Sequence, residues 1–154
     1  MFCPVHVRRR VYHSERNEQA SPVRFIQSWV MPRSYGQQPV YGGLADSRER
    51  QAARHNSFEH LVGDRDDANC KAPVLINQDA HFHLAEIEKD ATATFPLKSG
   101  RQCYILQIEG SVDLLEETLE QADAATVAGG KALDLEFRAK TKALVLIVEM
   151  AAGK

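Results

Sequence analysis

Leu133-Asp134-Leu135-Glu136-Phe137-Arg138, followed five residues later by Ala143-Leu144-Val145-Leu146-Ile147-Val148-Glu149-Met150, decides the fold class. In the first run apolar and charged residues alternate strictly, so a β-strand would put three apolar side chains on one face and three charged ones on the other. The second run is apolar from Ala143 to Val148, the pattern of a central strand covered on both faces. Working outward from this pair, strand-length segments recur towards the N-terminus at Val74 to Asn77, Phe82 to Ile87, Ala91 to Leu97, Gln102 to Ile108, Ser111 to Leu115 and Ala124 to Val127. Turn residues separate them, including Lys98-Ser99-Gly100, Glu109-Gly110 and Gly129-Gly130. Short strands at this spacing predict an all-β sandwich or barrel. One segment reads differently: Leu114 to Ala125 has the composition and apolar spacing of a helix, and flanking strands alone leave helix and turn-plus-strand both open.

Further upstream the texture loosens. Ser57 to Val62 reads as a short strand, Gly63 to Asp67 as a turn, Ser47 to Arg54 as one or two helical turns, and Arg33 to Gly43 as an extended loop. Val23 to Met31 is rich in β-branched and aromatic residues, holds the single tryptophan, and stops at Pro32, which denies a further ladder bond. It is expected to be a strand with apolar residues on both faces.

The totals exclude several function classes. The 154 residues, 44% hydrophobic and 26% charged, suit one domain with a core plus an appended arm. A net charge of −2 provides no general attraction to nucleic acid or anionic membrane, and Arg8-Arg9-Arg10 is diluted by neighbouring acids. The longest apolar run is too short to span a bilayer. Cys3, Cys70 and Cys103 are odd in number and lack C-x-x-C spacing, which predicts reduced thiols and, with no apolar leader, a cytoplasmic location.

Many short motifs then fall in one order. They are His13-Ser14-Glu15-Arg16-Asn17, Val23 to Pro32, Gly36-Gln37-Gln38-Pro39-Val40-Tyr41, Ile76-Asn77-Gln78-Asp79-Ala80, Phe95-Pro96-Leu97, Gly100-Arg101-Gln102, Ile108-Glu109-Gly110-Ser111 and Leu146 to Met150. Together they resemble the pirin family over roughly residues 11 to 152. Pirin-family proteins are bicupins, two jelly-roll barrels in one chain. The resemblance implies an antiparallel cupin-type jelly-roll barrel with an N-terminal extended arm. It divides the chain into a remnant of the first cupin with its connecting strand (1–32), a loop-rich linker (33–70) and the C-terminal cupin barrel (71–154). It also implies a turn and strand, not a helix, at Leu114 to Ala125. In the family, one metal, usually iron, is held in the first cupin by three histidines and a glutamate. His13 and Glu15 match two of these ligands, and no upstream His-x-His motif is present. In quercetin 2,3-dioxygenase-like members the glutamate takes the hydroxyl proton of the flavonol, a catalytic role that falls to Glu15.

His13 and Glu15 are two apart, so on a strand both side chains leave one face, which is half of a metal site. An ion with two protein ligands keeps mostly water, so iron or another divalent transition metal is expected to bind weakly or not at all. His6 has no shared strand register with them. His81-Phe82-His83-Leu84-Ala85-Glu86 resembles a cupin H-x-H-x-x-E, but Glu86 falls on the opposite face from the histidines, which are expected to point outward. Phe25 and Trp29 are read as packing residues. The expected function is a pirin-related binding domain without catalysis of its own; the alternative is a metal-dependent quercetin 2,3-dioxygenase-like oxidoreductase using His13 and Glu15. Partners are expected to be a second copy through residues 5–31 and possible protein ligands, with no nucleic acid and no membrane.

Overall fold

The computed structural model describes residues 14, 16–38, 40, 43–128 and 130–152. His6, His13 and Glu15 lie outside the described residues. One short helix, α1 (Arg48–Arg54), precedes ten strands: β1 (Glu59–Asp64), β2 (Val74–Ile76), β3 (Ala80–Ile87), β4 (Thr92–Leu97), β5 (Arg101–Glu109), β6 (Val112–Leu114), β7 (Glu117–Leu119), β8 (Ala124–Val127), β9 (Leu133–Ala139) and β10 (Ala143–Ala151). They form a six-stranded sheet in the order β2-β1-β3-β10-β5-β8 and a four-stranded sheet in the order β4-β9-β6-β7. The fold is all-β and cupin-like, with the sheets hydrogen-bonded as two units rather than closed into one cylinder. Among the described residues, the named strands pair antiparallel except β1 with β2, which run parallel. No helix among the described residues is long and apolar enough to cross a membrane.

The alternation in β9 has the consequence expected of it: Leu135, Phe137 and Ala139 face the other sheet and are fully buried. Leu133 departs from the expectation and is 42% exposed, because it ends the strand opposite Leu97 at the rim of the sandwich. The apolar run of β10 lies between β3 and β5. Val145 and Ile147 enter the inter-sheet core with Ile87, Ile105, Phe95 and Phe137. Leu146 joins Leu61, Val62, Val74 and Phe82 in a second cluster on the outer face. The sheet is therefore covered on both sides, as an uninterrupted apolar strand requires.

Leu114 to Ala125 is turn and strand. Helix propensity is overridden because Leu114 and Leu119 both reach the inter-sheet core when β6 folds back as β7. The turn holds Leu115 at φ 54°. The β5–β6 connection needs a glycine: Gly110 has φ +74°, and a Cβ there would meet the Lys142 carbonyl oxygen at 2.0 Å.

Val23 to Met31 is not a strand. Among the described residues it joins no strand ladder, and it rests on the outer-face cluster through Val30. The segment is a strap. Val30 packs into the outer cluster. The Arg33 N–H donates to the Asn77 carbonyl at 2.7 Å, Gln78 Nε2 donates to the Met31 carbonyl at 2.7 Å, and Asn77 Nδ2 donates to the Ser34 carbonyl at 3.0 Å. Arg33 pairs with Asp64 and Asp66, and Arg24 with Glu109. The segment 33–70, expected to be loop-rich, also contributes structure to the sandwich. Ser47 caps α1 by accepting from the Arg50 N–H, Arg50 pairs with Glu59 at 2.5 Å, and Arg54 bridges Asp46 and Glu86.

Candidate functional site

On β3 the odd-numbered side chains share one face. Ala85 and Ile87 on that face lie in the inter-sheet core, so His81 and His83 also point inward, towards one end of the sandwich. The expectation that they face outward fails because the core face of β3 continues past its apolar half. His83 meets Phe95 of the opposite sheet edge to face, with ring centroids 4.9 Å apart. The antiparallel register places His60 of β1 beside His83, and the two rings stack at 4.4 Å with planes 14° apart. His60 Nε2 lies 3.1 Å from His81 Nδ1. Glu86 takes the other face, as its spacing predicts, and pairs with Arg54.

Cys70 completes the cluster from the connection between the parallel strands β1 and β2. This connection is ordered by Asp67, whose carboxylate accepts from the Asn69 N–H at 2.9 Å and whose carbonyl accepts from the Cys70 N–H at 3.0 Å. One ligand atom each from His60, Cys70 and His81 lies within 4.8 Å of the other two. The space between them exists because residue 63 is glycine. A Cβ there would sit 2.3 Å from Cys70 Sγ and 2.9 Å from His60 Nε2. Gly63 and Asp64, read from sequence as the start of a turn, belong to β1.

Charged groups surround the cluster in a fixed order. His81 Nε2 lies 3.5 Å from Asp79 Oδ1. Arg101 grips Asp79 with its two terminal guanidinium nitrogens, at 2.6 and 2.7 Å, and pairs with Glu149 through Nε. The Arg101 hydrogen bonds hold Asp79 below the usual carboxylate range. Burial, with His81 facing it, lowers the His60 pKa, and a hydrogen bond to the Val62 main chain opposes that shift. Burial pushes His83 down to about 3, aided by His60 and His81. His60 and His83 are therefore neutral at physiological pH, the form in which imidazole donates to metals. Burial pushes the Cys103 thiol up to about 11, which makes it inert.

Of the residues singled out in sequence, the structure brings together His81 and His83 and separates them from Glu86. His60 and Cys70 were not legible as site residues. Their signal is the pairing of β1 with β3 and the glycine at 63, and neither is visible before the sheet order is known.

The two facing sheets in this strand order make the fold cupin-like. The family profile described as Quercetinase C-terminal cupin domain, of the pirin group, matches residues 64–150, and the chain belongs to this family. Two relatives carry the printed name "Putative quercetin 2,3-dioxygenase". The one from Zymomonas mobilis is 26% identical over 89% of this chain and 56% of its own length. The one from Pseudomonas aeruginosa is 28% identical over 92% of this chain and 58% of its own length. The chain thus spans a little over half the length of the curated relatives it matches. Among solved structures, the pirin YhhW of Escherichia coli, also known in complex with nickel(II), superimposes with a TM-score of 0.66 at 17% identity, over 81% of this chain and 49% of that one. A quercetin 2,3-dioxygenase from Acinetobacter baumannii gives 0.53 at 15% identity, over 61% and 32%. These likenesses support the fold.

Proposed function

We propose that the chain is a binding cupin of the pirin family that associates with a second copy of itself through the strap and its N-terminal continuation, residues 5–31, and does no chemistry alone. The carrying observation is how the strap divides its side chains. Val30 turns towards the sheet, while Val23, Phe25, Trp29 and Met31 point away, with Phe25 60% and Trp29 71% exposed. Apolar side chains presented in a row on a pinned backbone bind with little ordering cost, and a row of this kind suits two-fold pairing with its own copy. Sedimentation equilibrium at micromolar concentrations should return a dimer of the 17.2 kDa chain. A Phe25→Asp, Trp29→Ser double variant should return a monomer. A wild-type monomer across that range would overturn the reading.

A second reading draws on the two relatives named for quercetin 2,3-dioxygenase. In it His13 and Glu15 are metal ligands, Glu15 also takes the substrate proton, and the ion is a divalent transition metal. Quercetin consumption by the purified chain, abolished in Glu15→Ala, would favour this reading over the first.

A further inference from the structure

We propose that His60, Cys70 and His81 form a binding site for one borderline-soft transition ion of the zinc class, at the histidine end of the sandwich. Its three ligands do not include His13 or Glu15.

The donor set comes first. Two imidazoles and a thiol suit zinc or cobalt(II), and suit magnesium or calcium poorly. Spacing is the second observation. Two nitrogens on a tetrahedral zinc, each about 2.0–2.1 Å from the ion, lie roughly 3.3 Å apart. His60 Nε2 and His81 Nδ1 are 3.1 Å apart. The three ligand atoms all lie within 4.8 Å of one another, so bonding geometry needs a movement of no more than about an ångström in the connection that carries Cys70. Gly63 supplies the third observation, since any side chain at that position would fill the space between Cys70 Sγ and His60 Nε2.

The surroundings supply the fourth. A metal-bound histidine characteristically donates its other N–H to a carboxylate or carbonyl, which fixes the ring and raises the basicity of the ligating nitrogen. His81 is oriented for that arrangement: Nδ1 lies 3.1 Å from His60 Nε2, and Nε2 lies 3.5 Å from Asp79, which Arg101 holds in place. Three protein ligands leave a fourth position for water or a small anionic ligand, the composition of an accessible site rather than a sealed structural one. Metal binding would also tie the β1–β2 connection to β3, so occupancy should raise thermal stability by mass action.

The test is a titration of the full chain, stripped with chelator under reducing conditions, with cobalt(II) at neutral pH. Saturation is expected at one equivalent, with a thiolate-to-cobalt charge-transfer band in the near ultraviolet and the strong visible bands of a four-coordinate ion. Zinc should displace the cobalt and protect one thiol from alkylation, which peptide mapping should place at Cys70. That last measurement needs no variant and stands even if a substitution unfolds the chain. Cys70→Ser should abolish the charge-transfer band, Asp79→Asn should weaken binding by about 10-fold or more, and His13→Ala with Glu15→Ala should leave the titration unchanged. The proposal is overturned by absence of saturable binding, by a band that survives Cys70→Ser, or by a band lost with His13 and Glu15. In those cases the contact between His60 and His81 is a shared-proton hydrogen bond between packed rings.

Discussion

The two faces of the six-stranded sheet are built by neighbouring residues of the same strand, yet they are covered in different ways. Ile147 of β10 points into the inter-sheet core and is wholly buried, while Val148, the next residue, packs half-buried under the strap side. The inner face meets a second sheet, where interdigitated side chains leave little room to relax. The outer face meets an irregular segment held by a few hydrogen bonds and ion pairs. The inner face is therefore the folded core, and the outer cover is a layer that can be loosened while the sandwich persists.

The sharpest way to break this contrast is to truncate adjacent residues. Ile147→Ala should cost about 2–5 kcal/mol in urea unfolding, and Val148→Ala on the order of 1 kcal/mol. Equal losses would mean that strap and second sheet cover the sheet equally well. At the histidine end, Gly63→Ala should cost about 1–3 kcal/mol, because its Cβ forces Cys70 and His60 aside. The penalty should shrink when Cys70→Ala is added, since that change removes the sulfur the new Cβ meets, and a double-mutant cycle measures the coupling.

The smallest effect concerns the outer cover itself. The hydrogen bond from Arg33 holds the Asp64 pKa below the ordinary carboxylate value. A depressed folded pKa means the contribution is fully present above the unfolded value of about 3.9 and fades as pH falls through the folded one. Acidification below about pH 4 should thus lower the hydrogen-exchange protection of the Arg33 amide before that of β10. Asp64→Asn should reproduce the loss at neutral pH. Uniform loss of protection across both layers would contradict a separable cover.

Much of the sandwich was legible in the sequence because its signals are local. The alternation at Leu133 to Arg138 and the unbroken run at Ala143 to Val148 state on their own which faces are covered. Leu133 breaks the pattern because alternation reports which face a residue takes, not how near the rim it lies. Val23 to Met31 has strand composition, but β-propensity describes fit to a half-buried pleated surface, and the strap meets that condition with no ladder. The histidine pair failed in the same way. Period two correctly grouped His81 with His83 and excluded Glu86, but whether a shared face is inside or outside depends on strands distant in sequence. His60 and Cys70, 21 and 11 residues from His81, become neighbours only through the β1–β3 register and the parallel β1–β2 pair.

The sheet margins carry a consequence for what happens when copies meet. The six-stranded sheet ends in β2, three residues long, and β8, four residues long. The four-stranded sheet ends in β7, also three residues, and in β4, where Pro96 withholds an amide hydrogen. Margins this short or this interrupted are poor templates for adding a strand from another molecule. Runaway polymerisation into cross-β fibres is therefore disfavoured at all four margins, and concentrated solutions should stay clear of fibrillar growth for as long as the sandwich remains folded.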